Sequence, residues 1–141
     1  MMNEIKDSFN KTISIEEVNL LKPIHLAYIG DAIYEVYIRR YLILNNQLRI
    51  KDINAKCIRY VKATSQADII NNIFDELNEE EKRFVKRGRN STSNTIPKNT
   101  QLIDYKMATG FETLIGYLYL TGKTERLENI IFLSIEHINK L

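Results

Sequence analysis

Apolar residues recur three and four positions apart through most of the chain, the period of a helix face. Nowhere do they alternate with polar residues for long enough to predict a strand. Ser14-Ile15-Glu16-Glu17 has the form of a capping box and predicts a short helix that ends before Pro23. The same period predicts helices from Ile24 to about Leu44, and from Lys51 to about Leu77 with a break near Thr64-Ser65. Asn78 with Glu81 forms another N-terminal signature, opening a helix to about Arg87. Thr100 to Leu120 is helical and stops at Gly122, a left-handed cap. Thr124 then caps a last helix carrying Leu127, Ile130, Ile131, Ile135 and Ile138. Gly88 to Asn99 is the one substantial loop, built of residues that favour turns and hydrogen bonding. The expected fold is all-α.

Composition narrows this picture without identifying a function. A chain of 141 residues, 44% hydrophobic and 27% charged, suits a packed core, so residues 1–141 are expected to form a single domain. The net charge of +2 is too small to name a partner. Cys57 is the only cysteine, which excludes an intramolecular disulfide and a multi-cysteine zinc site. No apolar run approaches the roughly 20 residues of a membrane span. The N-terminal MMNEIKDSFNK lacks the apolar core of a signal peptide. The expectation is a cytoplasmic protein with no membrane contact. His25 and His137 have no metal-ligand spacing around them and read as structural or surface residues.

The candidate chemistry lies where helix rules are broken. Asp31 follows Gly30 inside the apolar stretch Leu26 to Tyr37, and both are poor helix-interior residues. Glu112 repeats the pattern, with Gly110 and Gly116 close by. Residues without side chains at 30, 110 and 116 would let two helices approach closely and bring the carboxylates together. Two such oxygens, with water and phosphate completing an octahedron, make a Mg²⁺ site. The plainer alternative is two solvated acids on amphipathic helices. Glu35, one turn after Asp31, either joins the site or forms a helix salt bridge. A basic run, Lys82 to Asn90, enters the polar loop and is followed by Lys98. It suits phosphate and ribose contacts, or equally a solvated helix end whose cations complement the helix dipole.

These residues together meet a family. Leu26 to Tyr37 resembles the signature motif of the ribonuclease III catalytic domain, whose Leu-Gly-Asp core carries a catalytic aspartate. Phe111-Glu112-Thr113-Leu114-Ile115-Gly116 resembles that domain's second acidic motif. Lys86-Arg87-Gly88-Arg89-Asn90, then Pro97-Lys98-Asn99-Thr100, then Tyr105 occur in the order found in the short bacterial branch, Mini-ribonuclease III, which lacks a double-stranded-RNA-binding domain. The longer enzymes typically carry two more acids per site, at places occupied here by Ala27 and Thr109. The short branch shares that loss.

The resemblance implies a ribonuclease III-type helical bundle forming a two-fold homodimer. It implies Mg²⁺-dependent cleavage of double-stranded RNA, leaving 5′-phosphate and 3′-hydroxyl ends. The implied substrate is a stem of precursor large-subunit (23S) ribosomal RNA, with room for a ribosomal protein that presents it. Asp31 and Glu112 are then the catalytic, metal-holding pair. Lys86, Arg87, Arg89, Asn90, Lys98, Asn99 and Thr100 are the expected RNA contacts. Two rivals stay open at this point: a non-catalytic RNA-binding relative, favoured by the missing acids, and a helical dimerising protein with no RNA role.

Overall fold

The computed structural model describes residues 1–91, 98 and 100–141. The described residues form eight α-helices: α1 (Met2–Asn10), α2 (Ile15–Leu20), α3 (Pro23–Asn45), α4 (Ile50–Val61), α5 (Ala63–Ile73), α6 (Glu79–Asn90), α7 (Leu102–Leu120) and α8 (Thr124–Asn139). A single 3₁₀ turn, Phe74–Glu76, joins α5 to α6. The described residues include no strand, as the apolar period requires.

Local chemistry sets most of the boundaries. Ser14 and Glu17 make a reciprocal capping box at α2, and Asn78 and Glu81 make another at α6. Pro23 occupies the first turn of α3, where its missing N–H costs no hydrogen bond. Gly122 has φ of 72°, and its amide closes the end of α7 on the Tyr119 carbonyl. Four details differ from the sequence reading. The break between α4 and α5 falls at Lys62, Lys123 rather than Thr124 is the N-cap of α8, and α6 runs through Gly88 to Asn90. The chain also begins with α1, which buries none of its residues, so no core-facing period marked it.

α7 is the central element. Every residue from Ala108 to Leu118 is buried except Glu112, because α3, α5 and α6 all pack against this helix. Tyr34 meets Phe111 edge to face at 4.9 Å, and Phe84 stacks on Tyr117 at 4.1 Å. An ion pair with a buried carboxylate ties the last helix to this core. Glu81 accepts two hydrogen bonds from the Arg126 guanidinium, at 2.8 and 2.9 Å. Burial alone would raise the Glu81 carboxyl, but Arg126 and the Asn78 cap together hold it below its usual range.

The closest helix approach lies between α3 and α7. A Cβ added to Gly30 would collide with the Glu112 carbonyl, and one added to Gly116 would collide with the Leu26 carbonyl. Each glycine thus lets the other helix's backbone sit where a side chain would stand. Gly110, expected at the same seam, instead faces α6, where an added Cβ would lie 2.7 Å from the Val85 carbonyl. Backbone on both sides leaves Gly30 no flexible neighbour to yield. Gly30→Ala is therefore expected to cost ~3 kcal/mol in urea unfolding. An unchanged midpoint and slope would show that the seam relaxes freely.

Candidate active site

Asp31 is carried by α3 immediately after the seam glycine, and Glu112 sits on α7 directly across it. Both side chains line one cleft, and Asp31 is the acid that acts on the Glu112 carboxyl. Ile24, Ala27, Tyr28, Asp31, Tyr105, Thr109 and Glu112 line an open cleft of ≈ 160 Å³. Asp31 is exposed at its mouth, whereas Glu112 is half-buried against the core. Burial pushes the Glu112 carboxyl up to about 9, and the hydrogen bond and like charge of Asp31 add to the rise. The Gln66 amide on α5 works against it. None of these perturbing groups carries positive charge.

Two acids facing each other without a cation suit a divalent ion better than they suit each other. Ala27 and Thr109 line the cleft but add no carboxylate, and the Thr109 hydroxyl donates to the Tyr105 carbonyl at 2.9 Å. Among the described residues no group of three or more His, Cys, Asp or Glu could share a metal. The donor set is therefore hard oxygen, two side chains strong. That fits a Mg²⁺-type ion whose remaining positions belong to water and phosphate. Glu35 stands apart: it pairs with Arg39 at 2.7 Å, one turn along the outer face of α3.

The basic residues divide. The C-terminal end of α6 is laid on the stretch of α7 that carries Glu112, since Gly88 sits against Gly110 and Thr113. Lys86 and Asn90 are exposed on this end and border an open groove of ≈ 630 Å³ with Arg83. Arg89 is half-buried, with Nε 3.2 Å from the Asn90 Oδ1. Lys98 is exposed and Thr100 half-buried, while Asn99 and residues 92–97 lie outside the described residues. Arg87, also among the expected contacts, is engaged within the protein. Its Nη2 donates to the Leu21 carbonyl at 3.1 Å, and its guanidinium lies over the Phe84 ring. It clasps α6 to the end of α2 because a half-buried cation needs carbonyl acceptors more than solvent. Gln66, by contrast, was invisible as a site residue. A lone glutamine in a helical stretch carries no signal of burial, and only the packing of α5 on α7 brings it to Glu112.

Comparison with known proteins identifies the family. The Ribonuclease III domain family matches residues 25–123, a span that includes both carboxylates and the basic end of α6. The chain belongs to the ribonuclease III family. It is an endoribonuclease, of a family that acts on double-stranded RNA and depends on divalent metal. It is 46% identical to Mini-ribonuclease 3 of Thermoanaerobacter sp. (strain X514) over 125 residues, covering 89% of this chain and 88% of that protein. It is 50% identical to Mini-ribonuclease 3 of Clostridium tetani over 121 residues, covering 85% and 80%. A crystal structure of a Fusobacterium nucleatum protein superposes with a TM-score of 0.75 at 32% identity, covering 93% of this chain and 97% of the other.

The raised Glu112 carboxyl makes metal-free stability depend on pH. The group keeps its proton when folded up to about 9, but releases it near 4.5 when unfolded. Its contribution is therefore complete below the lower value and is lost as pH rises through the upper one. Urea unfolding in chelator should show stability falling from pH 5 to pH 9, and Glu112→Gln should flatten that slope. An equal slope in both proteins would contradict the enclosed carboxyl.

Proposed function

We propose that this endoribonuclease is a Mg²⁺-dependent enzyme whose Asp31 and Glu112 hold the metal against the scissile phosphate of an RNA duplex. The substrate we infer is a stem of precursor 23S ribosomal RNA, cut in the cytoplasm to leave 5′-phosphate and 3′-hydroxyl ends. The observation that carries the reading is the facing pair of carboxylates with no positive neighbour among the groups that perturb Glu112. When bound, Mg²⁺ would neutralise the phosphate and activate a water for in-line attack. The chain's own contribution is position. The seam fixes Glu112 and Asp31 across from each other, and Ile24 and Tyr28 wall the cleft. Because only two side chains serve, RNA phosphate and water complete the site, so the family resemblance and the short ligand set point the same way.

Lys86, Arg87, Arg89, Asn90, Lys98, Asn99 and Thr100 are the proposed duplex contacts. Their support is the α6 end, which carries the exposed Lys86 and Asn90 and packs through Gly88 on the helix that bears Glu112. Contacts of this kind track the backbone and 2′-hydroxyls of A-form RNA rather than its sequence. We further propose that residues 1–141 act as one catalytic domain and pair as a two-fold homodimer, giving one cleft for each strand. Tyr28 supports a contact at the mouth of the cleft: it is 85% exposed, beside Ile24 and one turn before Asp31. Leu102 and Ile103, in the first turn of α7, are exposed as well. A ribosomal protein that presents the stem is compatible with this reading.

Three experiments test it. Asp31→Asn should abolish cleavage of a model stem in Mg²⁺, by 10³-fold or more on the scale of a lost metal-centred rate enhancement of about 4 kcal/mol. Duplex binding in a gel shift should persist, and undiminished cutting would sink the assignment. Lys86→Ala should weaken binding and lower the log–log salt slope by about 1. A wild-type slope would remove Lys86 from the interface. Tyr28→Glu should shift sedimentation from dimer to monomer, whereas an intact dimer would move the interface elsewhere.

A further inference from the structure

Five of the eight tyrosines engage their hydroxyls within the protein. Tyr34 donates to the Tyr60 carbonyl, Tyr37 to Glu128, Tyr60 to Asn139 and Tyr117 to Glu80, while Tyr41 accepts from Asn139. That is the ordinary pattern, because a phenol enclosed by protein needs a partner for its O–H. Two others, Tyr28 and Tyr119, are 85% and 39% exposed, where water serves. Tyr105 fits neither group. It is half-buried on α7, yet among the described residues its hydroxyl has no hydrogen-bond partner. Its other contacts are made by backbone: the N–H donates to the Gln101 carbonyl, and its own carbonyl accepts from the Thr109 hydroxyl. Among the described residues, the buried side-chain atoms left unpaired are Gln66 Oε1 and Arg87 Nη1, so the Tyr105 oxygen remains reachable. The wall in which this unpaired phenol stands is that of the Asp31–Glu112 cleft.

We propose that the Tyr105 hydroxyl binds the substrate strand, through a hydrogen bond to a ribose or phosphate oxygen of a nucleotide next to the scissile phosphate. The proposal rests on Asp31 and Glu112 marking the place where an RNA duplex is cut. Helix geometry sets which part of the strand the phenol meets. Tyr105, Thr109 and Glu112 recur at helical spacing along one face of α7, and all three line the cleft. From 105 to 112 the axial rise is about 10 Å. Helical side chains all lean toward the N-terminus, which preserves that separation. The phenol therefore stands beside the strand that reaches the carboxylates, not at the metal they hold. Its neighbours leave it a distinct task. Beyond the two acids, the polar side chains of the cleft are Tyr28, Tyr105 and Thr109. Thr109 is committed to the Tyr105 carbonyl, and Tyr28 is mostly exposed at the mouth. Tyr105 offers an unpaired hydroxyl from within the wall. A phenol both donates and accepts, which suits a 2′-hydroxyl as well as a phosphate oxygen.

The test uses Tyr105→Phe, which removes the oxygen and keeps the ring. Single-turnover cleavage of a model stem is measured at subsaturating protein across a Mg²⁺ titration, and thermal unfolding reports the fold. Because the hydroxyl bonds nothing in the protein, the melting temperature should not change. Cleavage should fall about three- to tenfold, the size of one lost hydrogen bond, with half-maximal Mg²⁺ unchanged. Stems carrying a single 2′-deoxyribose or a single methylphosphonate linkage, at each nucleotide flanking the cut, then locate the bonded oxygen. At one such position the modification should slow the wild-type protein by the same factor and slow Tyr105→Phe no further. A 2′-deoxy position assigns the contact to ribose, and a methylphosphonate position assigns it to phosphate. Wild-type cleavage by Tyr105→Phe overturns the proposal, as does a loss that multiplies with every modification. A raised Mg²⁺ requirement overturns it too, by placing the phenol at the metal. Failure of the underlying assignment looks different: Asp31→Asn would then cut the unmodified stem as fast as the wild-type protein.

Discussion

The contact of two helix backbones at Gly30 and Gly116 governs the rest of this molecule. α3 and α7 approach so closely there that each carbonyl occupies the space of the other helix's missing side chain. Close approach has one chemical consequence that matters. Asp31 and Glu112 stand beside those glycines, and the seam brings two carboxyl groups together in a partly dry cleft where a charge on both is disfavoured. The stability that α7 gains as the buried centre of the bundle is what sustains this unfavourable pair. Core and site are therefore one feature: the helix that organises the packing also carries the enclosed carboxylate.

The electrostatics of the pair define what the protein lacks until it acts. Glu112 is pushed up to about 9 because burial and Asp31 both disfavour its charge. A divalent ion bound between the two would offset both effects. Ala27 and Thr109 hold no acid to finish a coordination shell, and Glu35 is engaged with Arg39. On the proposed reading, phosphate oxygens finish it, which couples metal binding to RNA binding and confines strong metal affinity to the substrate complex. On the same reading, the basic end of α6, seated on the same stretch of α7, supplies the cations that meet this phosphate backbone.

Much of this was legible in the sequence because its causes are local. Ser14 with Glu17 and Asn78 with Glu81 announce helix starts through side chains three residues apart, and Gly122 announces a stop. Asp31 and Glu112 were legible as violations, acids next to glycine in apolar helices, and the motifs around them carried the family. What was not legible depends on tertiary partners. α6 continues through Gly88 because that glycine fits against Gly110 and Thr113, and no local rule contains such a contact. Arg87 and Lys86 are neighbours in one basic run, yet one clasps α2 and the other faces solvent, a choice made by packing. Gln66 was hidden for the same reason.

The central claim is that the α3–α7 seam makes Asp31 and Glu112 a single cation site completed by RNA. A crystal of the protein with an RNA duplex and Mn²⁺, read by anomalous scattering, tests it most directly. The account predicts one Mn²⁺ peak touching a phosphate and lying within about 2.0–2.3 Å of an oxygen of each residue, or of a water hydrogen-bonded to that oxygen. Mn²⁺ bound to the duplex elsewhere, with the Asp31 and Glu112 carboxylates free of it, would contradict the account.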